Sequence, residues 1–311
     1  MRTIPGSGLE VFELCLGGNI FGWTADERQS AEVLDAYAAA GGNFIDTADV
    51  YSRWVRGHEG GESEAAIGSW LSRRNDRDRF VIATKVGASE GLSGQSIRTG
   101  IDASLRRLRC DWIDLYYAHR DDESTPLQET LLAFDELVRV GKVRCIAASN
   151  YSAARLEEAL RISDELGLAA FVALSPHYNI IERGYERSLR SVCAANSLGC
   201  IPYYGLAKGF LTGKYAQGAA SPSARGALDG SAHLGDEKAS KVLSALEQVA
   251  DAHGAKPGAV ALAWLLAQPT VISPIASART PEQLGELLEM ASLPLSEAEL
   301  RLLETASAAE G

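Results

Sequence analysis

The sequence predicts a single-domain α/β protein, a (β/α)8 TIM barrel over residues 1–311 with a long loop after its seventh strand. Three observations carry this. Eight short apolar runs rich in β-branched residues alternate with segments whose apolar residues recur at three and four spacing. From the second run to the seventh, strands follow one another at about thirty residues, the size of a β-loop-α unit, and eight such units close into a barrel. The competing doubly wound sheet wants a G-x-G-x-x-G fingerprint after an early strand, and none opens a helix here.

Taken in order, "FELCLGG" is the first strand and is followed by a helix over Arg28–Ala40. "NFID" precedes a helix over Glu64–Arg73, and "RFVIATK" one over Ile97–Leu108. Next come "WIDLYYAH" with Leu127–Val140, "VRCIAASN" with Ala153–Leu166, and "FVALSP" with Tyr185–Ala195. The seventh strand, "GCIPYY", runs into a stretch rich in glycine, alanine and serine, and loops that long are usually functional or mobile. Two helical segments, Lys238–His253 and Ala259–Gln268, separate it from the eighth strand, "TVISPI". In "ASARTPEQL" beyond it, Thr280 is placed as an N-cap, with Pro281 at the first helical position and Glu282 and Gln283 in the first turn.

Composition excludes several classes of function. Acidic residues outnumber basic ones 41 to 30, giving a formal net charge of -11 with no basic cluster, so nucleic acid and anionic membrane are poor partners. The N-terminus lacks the apolar core of a signal peptide, and no window reaches bilayer-spanning length. Cys15, Cys110, Cys145, Cys193 and Cys200 are scattered without a C-x-x-C pair, which suits a reducing, cytoplasmic setting. The five histidines show no ligand spacing with cysteine or carboxylate, so no metal site is expected.

Barrel chemistry sits at the C-terminal ends of the strands, so what each strand delivers there matters most. Asp46 ends the second strand, Lys85 the third, His119 the fourth, and Ser149 and Asn150 the fifth, while Tyr51 lies in the loop after Asp46. Gathering an acid, a lysine and a histidine at three consecutive strand ends is costly unless they form a network. Such a network suits proton donation. An ammonium beside a phenol stabilises the phenolate and lowers the pKa of Tyr51 toward the working range, while Asp46 holds Lys85 protonated. His119 supplies a second hydrogen bond to the oxygen on which charge develops, and hydride delivery to a carbonyl carbon completes a reaction without metal or protein nucleophile.

Beyond "DTADVY", "ATK" and "AHR", the chain resembles the aldo-keto reductase family in "GESEAAIGSWL", "HRDDESTPLQETLLAFDELVRVGKVRCIAASNYS", "PHYNIIER", "IPYYGLAKGFLTGKY" and "ISPIASARTPEQL". These stretches span nearly the whole chain in the expected order. The resemblance implies a TIM barrel that binds a nicotinamide cofactor in extended form, with Asp46, Tyr51, Lys85 and His119 as the catalytic tetrad. It also implies that Ser149 and Asn150 hold the carboxamide and Tyr203 stacks on the nicotinamide ring. Leu206, Lys208 and Lys214 then lie along the pyrophosphate, and Arg279 and Gln283 meet the adenosine end. Two positions depart from the family pattern. Ser175, also counted as a cofactor contact, replaces the usual glutamine closing the sixth strand, and Leu287 stands where an asparagine often faces the adenine.

Phe21, Trp23 and Trp54 are expected to form aromatic walls for a small-molecule carbonyl substrate, with aldehydes, ketones and nucleotide-sugar ketones all open. No acid occupies Ala276 to Pro281, and Arg279 stands beside a helix N-terminus, which favours a phosphate dianion and hence NADPH over NADH. Two rivals remain: a cofactor-sensing binding protein of slow turnover, and a Schiff-base lyase using Lys85, which would need that lysine neutral.

Overall fold

The computed structural model describes residues 1–215 and 230–308; the centre of the long loop expected after the seventh strand, 216–229, lies outside the described residues. The chain opens with an antiparallel hairpin, β1 (Arg2–Ile4) and β2 (Leu9–Val11), that the sequence reading missed. Its turn contains Gly6 and Gly8, both at positive φ, where glycine carries no steric penalty.

Eight parallel strands follow: β3 (Cys15–Gly17), β4 (Phe44–Asp46), β5 (Val81–Val86), β6 (Ile113–Ala118), β7 (Val143–Ser149), β8 (Phe171–Ser175), β9 (Gly199–Cys200) and β10 (Ile275–Ala276). Each pairs with the next, and β10 pairs with β3. The remaining gap closes where Cys200 N–H donates to Thr270 O (2.8 Å), Ile272 N–H to Cys200 O (2.9 Å) and Ile275 N–H to Pro202 O (2.9 Å). Both β9 and β10 are shorter than the apolar runs containing them, because Pro202 and Pro274 have no N–H to give a ladder.

The outer layer comprises α1 (Glu27–Ala39), α2 (Glu62–Leu71), α3 (Gly94–Leu108), α4 (Leu127–Arg139), α5 (Ala153–Leu166), α6 (Leu189–Ala195), α7 (Glu237–His253), α8 (Pro257–Leu266), α9 (Pro281–Leu288) and α10 (Glu297–Ser307). Side-chain caps start many of them: Asp26, Ser93, Ser152, Asp236 and Ser296 each accept from an N3 amide. Thr280 caps α9 as expected, with Pro281 at its start. The helix expected over Tyr185–Ala195 is split, a 3-10 turn at Gly184–Arg187 giving way to α6 where Ser188 leaves helical geometry.

Two cores result. The outer one lies between sheet and helices and includes Ile45, Ile82, Tyr116 and Ile146. The inner one fills the barrel with Phe44, Ala83, Leu115, Tyr117, Ala147 and Ile201, joined by Ile4, Leu9 and Val11 of the hairpin. The hairpin therefore plugs the N-terminal end, tied by Asn43, whose Oδ1 accepts from Phe12 N–H (2.8 Å) and whose Nδ2 donates to Glu10 O (2.9 Å). Among the described residues, the opposite end of the barrel is the one left open for a ligand.

Gly42 sets the approach to β4. A Cβ there would clash with one side of the ring of Tyr37, a fully buried side chain whose hydroxyl donates to Leu14 O (2.5 Å) and accepts from Phe44 N–H (3.3 Å). Gly42→Ala is expected to lower stability by about 1–3 kcal/mol, the scale of overpacking a locked core. The check is a lower urea midpoint with an unchanged m-value.

Candidate active site

Strand parity explains why chemistry gathers at one mouth. Successive strand residues face opposite sides of a sheet, so each inward row continues in steps of two. On β5, Val81 and Ala83 fill the lumen and Lys85 is next; on β6, Leu115 and Tyr117 lead to His119. Phe44 leads to Asp46, Ala147 to Ser149, and Ile201 to Tyr203 in the same way. The apolar filling stops and the polar set begins at one level, above which a cavity of about 1470 Å³ opens.

At its floor the Lys85 Nζ donates to Asp46 Oδ1 (2.5 Å), Thr47 O (2.8 Å) and Tyr51 Oη (3.1 Å). All three ammonium protons are thus used. The Tyr51 hydroxyl also faces Asp46 Oδ2 at 3.2 Å, and its ring stands edge-on to His119, with centroids 6.3 Å apart. A second layer holds the loop that carries Tyr51: Thr47 Oγ1 pairs with Ser63 Oγ (2.7 Å), which itself donates to Gly18 O (2.7 Å).

Burial dominates the electrostatics. It pushes the Asp46 carboxyl above the usual carboxylate range, opposed by Lys85 and Tyr51. Tyr51 departs from the sequence expectation. Its pKa is raised well above the usual tyrosine value, by burial first and by the Asp46 carboxylate second, so the resting side chain is a neutral phenol rather than one drawn toward ionisation. Burial, then Lys85, then Arg120 depress His119 to about 3, which makes it a neutral imidazole at physiological pH.

The wall past β7 is one connected set. Ser149 Oγ donates to Ser175 O (2.9 Å); Asn150, at φ 57°, donates through Nδ2 to His119 O (2.8 Å) and accepts at Oδ1 from Tyr203 Oη (2.6 Å). Behind Tyr203 the His177 ring stacks at 5.4 Å and 17°, held by Glu182 at 2.6 Å. Leu206, Lys208, Lys214, Arg279 and Gln283 line the far arm of the cavity. Tyr204, Ala207 and Lys208 are all left-handed there. Non-glycine residues in that region cost of order 1–3 kcal/mol each, and such strain concentrates at ligand clamps.

Two expected contacts are elsewhere. Phe21 is fully buried in the outer core and leaves the wall to Trp23 and Trp54, whose rings meet edge-on at 5.7 Å. Ser175 is also fully buried; among the described residues its Oγ has no hydrogen-bond partner, and it does not line the cavity. Conversely, Arg120 and Tyr204 line the cavity although only their neighbours, His119 and Tyr203, were singled out. Half-buried Asp49 was missed as well; desolvation, then the Glu64 carboxylate, push it up to about 7. The D-x-x-D spacing with Asp46 was the available signal.

Among the described residues no cluster of three or more metal-ligating side chains occurs, and no helix is long and apolar enough to cross a membrane. Asp46, Tyr51, Lys85 and His119 thus meet around one mouth of a (β/α)8 barrel. Residues 13–308 match the model of the aldo/keto reductase family, and the chain belongs to that family. It is 32% identical to Protein tas of Escherichia coli, over 97% of this chain and 96% of that protein. Similarity extends to the uncharacterized oxidoreductase YrpG of Bacillus subtilis (33%, covering 96% and 92%) and to norsolorinic acid reductase A of Aspergillus parasiticus (29%, covering 97% and 79%). The chain is therefore an NAD(P)H-dependent oxidoreductase of carbonyl chemistry.

Proposed function

We propose that this chain is a cytoplasmic, NADPH-dependent reductase of small-molecule aldehydes or ketones, with Tyr51 as proton donor. The observation that carries the reading is the Tyr51 hydroxyl, kept neutral by burial and Asp46 while Lys85 Nζ stands 3.1 Å away. Five free cysteines suit the reducing compartment.

The cavity fits a dinucleotide. At about 1470 Å³ it exceeds the roughly 300–1,000 Å³ of ordinary small-molecule pockets, and three basic side chains line one arm. In this reading Ser149 and Asn150 hold the carboxamide, Tyr203 is the stacking platform, and Leu206, Lys208 and Lys214 follow the pyrophosphate. When bound, the reduced nicotinamide supplies a hydride to the carbonyl carbon. Tyr51 gives its proton to the carbonyl oxygen, and Lys85, already donating to the phenol oxygen, stabilises the phenolate that forms. His119, being neutral, offers a hydrogen bond to the same oxygen without competing for the proton. Asp46 pairs with Lys85 Nζ and aims it at the phenol. That pairing also argues against Schiff-base chemistry, which needs the lysine uncharged.

NADPH is preferred over NADH on the surroundings of Arg279. It is exposed on the cavity wall just before α9, and its guanidinium has no ion-pair partner among the described residues. Glu282, the nearest acid in sequence, is instead held below its usual range by Thr280 at the helix start. Arg279→Ala is expected to weaken NADPH binding by about 1.5–3 kcal/mol, the scale of a hydrogen bond to a charged group, with little change for NADH. Both dissociation constants follow from quenching of tryptophan fluorescence; equal losses remove the assignment to the 2′-phosphate.

A panel of aldehydes and ketones, followed by loss of reduced-nicotinamide absorbance, tests the function itself. Cofactor binding without turnover of any carbonyl would replace the reductase with the slow-turnover sensor.

A further inference from the structure

Resting on the reductase reading above, we propose that the substrate carries a carboxylate that docks on Arg120, with a flat apolar body lying against Trp23 and Trp54. Arg120 follows His119 directly at the end of β6, is exposed and lines the cavity. Its place directly after His119 in the cavity lining puts it at the reacting end and not at the far arm, and its charge acts on both His119 and Tyr203.

Its natural counter-ions are committed elsewhere. Asp121 takes Arg155 Nε on both oxygens, at 3.0 and 2.9 Å. Asp122 accepts from Leu92 N–H (2.8 Å), Ser124 N–H (3.0 Å) and Thr125 Oγ1 (2.7 Å), which turns it into a loop clasp. Among the described residues the Arg120 guanidinium is left with no hydrogen bond or ion pair. The other guanidinium on this side, Arg53, lies 3.7 Å from Glu90 and is offset by it.

Among the described residues the rest of the lining adds no acid at this end. Asp46 is tied to Lys85, and Glu286 belongs to α9 at the other arm. In a chain of net charge -11, an uncompensated cation inside a cleft concentrates anions where the reaction occurs. A lone planar guanidinium matches a carboxylate bidentately, whereas a phosphate dianion would call for further donors that this end lacks. Trp54, 45% exposed and edge-on to both Trp23 and Tyr51, supplies an apolar wall of the same cavity.

The test uses 4-formylbenzoate and its methyl ester, which share the aldehyde and the ring and differ in charge. The native enzyme with NADPH is expected to favour the acid in kcat/KM by about tenfold or more, as a charge-assisted pair requires, and Arg120→Met to bring the ratio near one. A binding readout runs beside it: 4-(hydroxymethyl)benzoate should quench tryptophan fluorescence at lower concentration than its methyl ester, with the difference lost in Arg120→Met. Equal handling of acid and ester by the native protein overturns the proposal. So does an Arg120→Met variant that keeps the acid preference, or one that weakens NADPH binding, which would assign the guanidinium to the cofactor. If neither aldehyde is reduced, the reductase reading fails, and the binding of the two alcohols still decides Arg120.

Discussion

Tyr51→Phe lowers kcat by about two orders of magnitude or more, the scale of losing a general acid, while NADPH affinity stays nearly unchanged. The change removes one oxygen. The ring keeps its edge contacts with Trp54 and His119, and Lys85 keeps Asp46 and Thr47 O, so neither the floor of the cavity nor its cofactor arm is disturbed. The native pH profile belongs to the same argument. His119 gains its proton only near pH 3, and Tyr51 loses its own only well above the usual tyrosine value. The rate of proton donation should therefore stay flat across neutral pH and fall on the alkaline side. A variant retaining near-normal turnover, or a native profile breaking near pH 6.5, the ordinary histidine value, would remove Tyr51 as donor or His119 as a neutral partner.

The barrel was legible because period and parity are both written in the chain. Alternating apolar residues on "VIATK" and "IDLYYAH" give the inward rows, and those rows name Lys85 and His119 as their last members. The hairpin of Arg2–Ile4 and Leu9–Val11 was not, since three-residue strands show too little alternation to separate from a loop. Phe21 failed for a related reason: a residue in a loop beside a cavity has two sides to choose from, and this ring found apolar partners behind the wall. Depth was the other missing quantity. Ser175 counts as a cofactor contact by its place at the end of the sixth strand, but sequence could not reveal that it would be closed off from the cavity altogether. Nor could it weigh burial and a carboxylate at 3.2 Å against an ammonium at 3.1 Å, which is why the direction of the Tyr51 shift came out opposite.

Lys85→Met should damage both turnover and stability, and the two losses can be separated. Lys85 is 3% exposed and Asp46 1%, so removing the ammonium leaves a buried carboxylate that keeps, among the described residues, only the Tyr51 hydroxyl as side-chain partner. Breaking a buried pair from one side costs about 3–5 kcal/mol, whereas replacing both partners with neutral groups of similar volume is often close to neutral. In Lys85→Met the largest force lowering the Asp46 pKa is gone, and burial raises it further. The sign follows from linkage. A carboxyl whose folded pKa lies above its unfolded value holds a proton in the native state that the unfolded chain releases, so stability is best retained at low pH and lost as pH rises through the folded pKa. The urea midpoint of Lys85→Met should accordingly lie closer to that of the native protein at pH 5 than at pH 8. Adding Asp46→Asn should restore much of the midpoint and remove the extra pH dependence that Lys85→Met introduced, yet leave kcat depressed by about two orders of magnitude or more, since no cation then stabilises the Tyr51 phenolate. Recovery of turnover along with stability in the double variant would show that the ion pair only holds the fold together; recovery of stability alone assigns Lys85 to the chemistry.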